Sequence, residues 1–224
     1  MKVSDCLTAF AVLMTLSVPA PADQIPLYAT GPSQDAAFVR FVNASSGAIE
    51  VKAEGGSQKG TILQPGQPAS PFYPVRGNAS VKGFFKNASW QSDISLHVKP
   101  GEFATVVAMA GEAAIKQTVL RESPDDFNAL KVSLALYNLD AHCVGAGLNV
   151  LGRSALLFES VANGTLQRRA LNPVSISVQL ICKGQVTPIK LALGTLQAGQ
   201  RYSIFVMPDG VASKLLMASD AVAR

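Results

Sequence analysis

One pattern occurs twice in this chain, and that duplication limits its possible folds more than any other feature. Val39-Arg-Phe-Val-Asn-Ala-Ser45 is answered 95 residues later by Leu134-Ala-Leu-Tyr-Asn-Leu-Asp140. Leu96-His-Val-Lys-Pro-Gly-Glu-Phe-Ala-Thr-Val-Val-Ala-Met109 is answered by Gly194-Thr-Leu-Gln-Ala-Gly-Gln-Arg-Tyr-Ser-Ile-Phe-Val-Met207, which sets Gly101 against Gly199 and Met109 against Met207 at a separation of 98. Between them, Ala79, Val81, Gly83 and Phe85 match Ile176, Val178, Leu180 and Cys182 at 97. Small loop insertions produce such creeping spacing. A period of this length is too long for a solenoid unit and is the size of a small domain.

Both copies carry the two-residue period of strands. Val132, Leu134 and Leu136 alternate with Ser133, Ala135 and Tyr137, and Val174, Ile176, Val178, Leu180 and Cys182 alternate with mostly polar neighbours. That period puts the first set of each on one face. Lys99-Pro-Gly-Glu102 reads as a type II turn, with proline presetting φ and glycine accepting positive φ. Gln197-Ala-Gly-Gln200 keeps the glycine. No stretch sustains a capped 3.6-residue apolar period. The expected fold is therefore all-β: two tandem β-sandwich-like domains of similar topology. The expected order is a signal peptide (1–22), an extended arm (23–35), a first domain (36–120), a linker (121–130) and a second domain (131–220). The charged, proline-containing run Arg121-Glu-Ser-Pro-Asp-Asp126 suggests the linker.

Lys2, the apolar run from Leu7 to Val18 and the small residues of Ala20-Pro-Ala22 read as an export signal cleaved near Ala22. The run is too short for a membrane span, and Cys6 precedes it, against a lipoprotein. Cleavage leaves Cys143 and Cys182. In an oxidising compartment these are expected to form a disulfide, constraining the unfolded chain by roughly 4 kcal/mol. The competing reading is two separate small core residues.

The formal charge of +4 is scattered, with Arg168-Arg169 the densest basic spot. Nucleic-acid binders concentrate such charge on one face, so no nucleic-acid partner is expected. The catalytic inventory is thin. The two histidines, His97 and His142, belong to no recognisable nucleophile–base–acid set. Gly152-Arg-Ser-Ala155 lacks the second glycine of a nucleophile elbow. No metal-ligand spacing occurs. Neither a catalytic residue, a cofactor nor a metal is expected.

Four N-x-S/T sequons, at Asn43, Asn78, Asn87 and Asn163, read either as glycan acceptors or as turn chemistry. Trp90, set among polar residues, is a candidate sugar-stacking platform. The alternative is that the chain's one tryptophan packs in a core.

Two segments resemble the AlgF family of periplasmic alginate O-acetylation proteins. Leu27-Tyr-Ala-Thr-Gly-Pro-Ser-Gln-Asp-Ala-Ala-Phe-Val-Arg-Phe-Val-Asn-Ala44 is similar to the start of its mature chains, and Arg169-Ala-Leu-Asn-Pro-Val174 to a second family segment. The resemblance implies two β-sandwiches in the periplasm. It also implies a non-catalytic adaptor linking a membrane-bound O-acyltransferase to periplasmic SGNH-type acetyltransferases that modify alginate or, in related systems, cellulose. Ala29-Thr30 and the two cysteines depart from the family pattern and leave the polymer open. The binding candidates are Tyr28, Arg40, Asn43, Trp90, Arg169 and Asn172. Arg40 leads, because an arginine in an apolar strand needs a partner or an exit to water. Its alternative role is an ion pair inside its own domain. Direct polysaccharide binding is the competing function.

Overall fold

The computed structural model describes residues 36–55, 59–111, 114–123 and 128–223. The expected signal, the arm with Tyr28, and Asp125-Asp126 lie outside them. Among the described residues there are sixteen strands and no helix. The first half holds β1 (Ala36–Asn43), β2 (Ile49–Ala53), β3 (Thr61–Leu63), β4 (Tyr73–Arg76), β5 (Ser80–Lys86), β6 (Gln91–His97), β7 (Phe103–Ala110) and β8 (Ile115–Glu122). The second holds β9 (Val132–Asn138), β10 (Ala146–Val150), β11 (Leu156–Val161), β12 (Thr165–Leu171), β13 (Val174–Cys182), β14 (Gln185–Leu196), β15 (Arg201–Asp209) and β16 (Ala212–Ser219).

Each half is a sandwich of two four-stranded sheets. The orders β4-β1-β7-β8 and β3-β2-β5-β6 recur, strand for strand, as β12-β9-β15-β16 and β11-β10-β13-β14. In each half the first strand runs parallel to the seventh, and the remaining pairs are antiparallel. The anticipated turns occur: Gly101 and Gly199 sit at φ 74° and 73°, and Glu102 N and Gln200 N donate to Lys99 O and Gln197 O. At β5 the ladders correct the sequence alignment. Gly83 pairs with Ala53 as Val178 pairs with Val150, and the fully buried Phe85 and Leu180 correspond, at 95 rather than 97 residues.

The sheets stack in four layers, with a core inside each sandwich, one between the inner sheets and a small aromatic cluster of Phe38, Phe72 and Phe103. Val39, Val51, Phe85, Ile94 and Val106 fill the first sandwich, and Leu134, Leu148, Phe158, Leu180 and Ile204 the second. The third core lies between the inner sheets, where Val42, Val107 and Leu120 meet Tyr137, Leu139, Phe205 and Met207. The inner strands are thus buried on both faces, and the two-residue period expected for β9 holds. Val132, Leu134 and Leu136 enter the second core, whereas Ala135 and Tyr137 enter the middle one.

The middle core is built from equivalent positions. Val42 matches Tyr137, Ala44 matches Leu139, Val107 matches Phe205, and Leu120 matches Ala218. Each half therefore offers the same face to the other, the logic of an isologous dimer within one chain.

β8 continues through Arg121 and Glu122, two residues into the expected linker. Their charge suggested a solvated connection, but both are paired: Arg121 Nη1 with Glu102 Oε1 at 2.6 Å, and Glu122 with Arg168. In the second half a disulfide joins Cys143 to Cys182, with Cα atoms 4.8 Å apart.

Candidate functional site

Two features stand out: an ionic seam between the halves and a cleft in the first half. The seam centres on Arg40, a fully buried β1 residue. Its Nη1 donates to Asp220 Oδ1 at 2.7 Å, its Nη2 to Ser203 Oγ at 2.8 Å and its Nε to Thr105 Oγ1 at 3.0 Å. The guanidinium lies 4.5 Å from the Phe72 ring centroid, 5.0 Å from that of Tyr137 and 5.2 Å from that of Phe205. Arginine suits this setting because its planar fork makes several fixed bonds while its faces stack on rings. The ion pair joins the two halves, which corrects the alternative of a pair inside one domain.

Around it, Asp220 Oδ2 accepts from Arg168 Nη2 at 2.9 Å, and Arg168 Nε donates to Glu122 Oε2 at 2.7 Å. Tyr137 Oη donates to Glu122 Oε1, and Arg201 Nη2 lies 3.6 Å from the same carboxylate. Glu122 and Asp220 are equivalent positions at the ends of β8 and β16, as are Thr105 and Ser203. The tail adds a backbone link: Phe72 N donates to Ala221 O, and Ala223 N to Phe72 O.

Burial disfavours the Arg40 and Arg168 charges, but the carboxylates of Asp220 and Glu122 outweigh it and hold both guanidiniums above their ordinary range. Burial likewise opposes the Asp220 charge, yet Arg40 and Arg168 keep its carboxyl below the usual carboxylate value. Burial raises the Tyr137 phenol, and burial with the adjacent Arg168 lowers Arg201. With Arg40 and Arg168 both paired to Asp220, the seam can clamp the halves and dictate how they pair.

The other candidates have separate, mostly local roles. Asn43 is buried. Its Nδ2 donates to Gly47 O and Leu63 O, and its Oδ1 accepts from Ser45 N, so it shapes the turn after β1 and is inaccessible to a glycan. Asn138 repeats this on Cys143 O and Val161 O. Asn78 adopts φ 63° in a turn, and Asn87 Oδ1 accepts from Ser89 N and Trp90 N. Trp90 is half-buried against the first core. Arg169 is exposed and donates to Leu157 O. Asn172, also exposed, accepts from Lys131 Nζ at 2.7 Å. These side chains converge on no common site.

Sequence reasoning missed a serine–aspartate–histidine contact. Buried Asp140 accepts from Ser213 Oγ at 2.6 Å and lies 3.1 Å from His142 Nδ1. The carboxylate is central there, whereas a triad needs the imidazole between nucleophile and acid. Among the described residues no three metal-ligating side chains converge, and no helix is long and apolar enough to cross a membrane.

The cleft, of about 340 Å³, opens into the first sandwich. Val39, Phe41, Val51, Val75, Val81 and Ile94 line it, with Thr61 and Tyr73 joined by a 3.2 Å hydroxyl contact.

No protein-family model and no curated protein matches the chain. Among solved structures, a candidate cell adhesion protein of Bacteroides uniformis is 10% identical with a TM-score of 0.31, over 83% of this chain and 98% of its own. One from Bacteroides ovatus is 10% identical at 0.28, over 84% and 98%. One from Bacteroides fragilis is 10% identical at 0.25, over 80% and 86%. Likeness at this level carries nothing about function.

Proposed function

We propose that this protein is an exported, non-catalytic adaptor for O-acetylation of an exopolysaccharide, alginate or cellulose. It would join a membrane-bound O-acyltransferase to periplasmic SGNH-type acetyltransferases. The observation that carries this reading is the Arg40–Asp220 seam. It fuses two sandwiches through their inner sheets and leaves two outer sheets facing opposite ways. A body of that shape can hold two partners at a fixed spacing. The disulfide suits an oxidising compartment, and Arg40 lies in the segment that resembles the family.

The test is reconstitution. The purified chain should release no acetate from acetyl esters, yet co-purify with an acetyltransferase of the same system. Charge reversals on the two outer sheets should each remove a different partner. Acetyl-ester turnover abolished by one point substitution would sink the proposal. The competing reading, a carbohydrate-binding module, rests on Trp90. It requires saturable polysaccharide binding that Trp90→Ala removes without unfolding.

A further inference from the structure

We infer that the outer sheet of the second half is a docking face for a peptide segment of a partner protein, an aliphatic stretch flanked by carboxylates. The inference goes beyond the adaptor reading and needs no part of it. Phe85 and Leu180 hold equivalent places in the two outer sheets, so the ladders around them compare row by row. Both are fully buried, and their strand neighbours therefore face outward. On the first outer face one row runs Glu50, Lys86, Gln91 and the next Lys52, Phe84, Asp93. On the second, the same rows run Gly147, Ile181, Val186 and Asn149, Gln179, Lys190. Three polar residues of the first row are thus a glycine and two aliphatics, with Val186 57% exposed. Leu156, across from Asn149, and Val144 extend this apolar surface and are 44% and 61% exposed. Val144, Gly147, Leu156 and Ile181 border one hollow of about 450 Å³. Gly147 lines it without a side chain and cannot be enlarged, since a Cβ there would come within 2.9 Å of Phe158 O. The fold does not require this surface, because the first half does without it. Aliphatics clustered in water lower the free energy when a partner covers them.

The charges around the hollow define the partner. Glu159 and Lys183 border it, Lys190 ends the adjoining row, and Arg153 lies in the loop before Leu156. All four are exposed, whereas the nearby His142 lies against the buried Asp140. Both carboxylates of the first face's rows are gone, with Gly147 in the place of Glu50 and Lys190 in the place of Asp93. Three cations against one carboxylate favour an acidic partner. A second copy of this face would double the same imbalance. A polysaccharide fits less well, because the two rows carry no aromatic ring on which a sugar could stack. A membrane surface also fits less well, because the apolar centre is sunken and suits an inserted side chain.

The test is titration of the isotope-labelled, exported chain with the end-blocked peptide Glu-Glu-Leu-Val-Leu-Glu-Glu, followed by amide shifts. The comparators are Lys-Lys-Leu-Val-Leu-Lys-Lys, Glu-Glu-Ser-Ser-Ser-Glu-Glu, a uronate oligosaccharide and phosphatidylglycerol vesicles. The first peptide should saturate, shift Val144, Leu156, Ile181 and Val186, and outbind every comparator. Val186→Asp, at an exposed position, should weaken it by at least about tenfold. Lys183→Glu/Lys190→Glu should weaken it and improve the lysine peptide. Lys82→Glu/Lys86→Glu on the first face should leave its affinity unchanged. Absence of saturation, shifts confined to other surfaces, tighter binding of any comparator or unchanged affinity in either second-face variant would overturn the inference. So would a dimer of the chain alone that Val186→Asp dissociates in sedimentation, since a second copy would then cover the face. None of these measurements involves an acetyltransferase, so the two proposals fail separately.

Discussion

The two halves share every strand and every sheet neighbour, yet they finish their cores differently. In the second, Phe158 and Val178 fill the interior, β11 covers the side, and Cys143–Cys182 ties the turn after β9 to the end of β13. In the first, Thr61 stands where Phe158 fills the second core and a cleft opens beside it, and residues 36–120 hold no cysteine. The layer between them is built from equivalent positions, though Arg40 stands where the second half has Ala135. One topology therefore tolerates a closed and an open version because the shared inner sheets are held from outside each sandwich. A half that is stabilised across its inner face can leave its own core incomplete.

The sharpest way to break this comparison is through the shared layer. Arg40→Ala should destabilise the whole chain by about 3–5 kcal/mol, because it leaves Asp220 and its neighbours buried without their main counter-charge. Urea titration checks it. A loss confined to the first half would mean the seam is incidental. Next come the paired core positions. Phe158→Ala should cost about 3–5 kcal/mol through loss of a buried ring, and its counterpart Thr61→Ala about 1 kcal/mol or less. Similar losses at both would show that the cleft is effectively filled. Opening the disulfide with Cys143→Ser/Cys182→Ser should cost about 2–4 kcal/mol, read as a lowered urea midpoint.

The smallest effect is set by pH. The Asp220 carboxyl is held below its ordinary 3.8 by Arg40 and Arg168 against the cost of burial. A depressed acid contributes its full stability above the unfolded value and loses it as pH falls through the folded value. Stability should therefore be flat in this contribution from neutrality to about pH 5 and decline below about pH 4. The decline should be shallower in Asp220→Asn, measured as midpoint against pH.

Much of this was readable from residue order. The duplication, the two-residue period, the turns at Gly101 and Gly199, and the Cys143–Cys182 bridge all rest on local chemistry or on cysteine pairing. The seam was half-readable. Arg40 announced itself as a charge inside an apolar strand, but its partner is 180 positions away, and nothing local marks Asp220 as the acid that completes it. The double-sided burial of β9 escaped because a period-two pattern with alanine and tyrosine on its second face suits a solvated sheet as well as an inner layer. The cleft was hidden for a different reason. A threonine is unremarkable until the ladders set it in the place of Phe158 of the other half.

The most direct test of the two halves as one body uses the chain's single tryptophan. Trp90 reports on the first half alone, whereas far-UV circular dichroism reports on all sixteen strands. In a urea titration of the native chain the two signals should move together in one transition, as a cooperative unit requires. A Trp90 transition at clearly lower urea than the dichroism change would mean that the halves unfold separately and that the Arg40–Asp220 seam does not bind them.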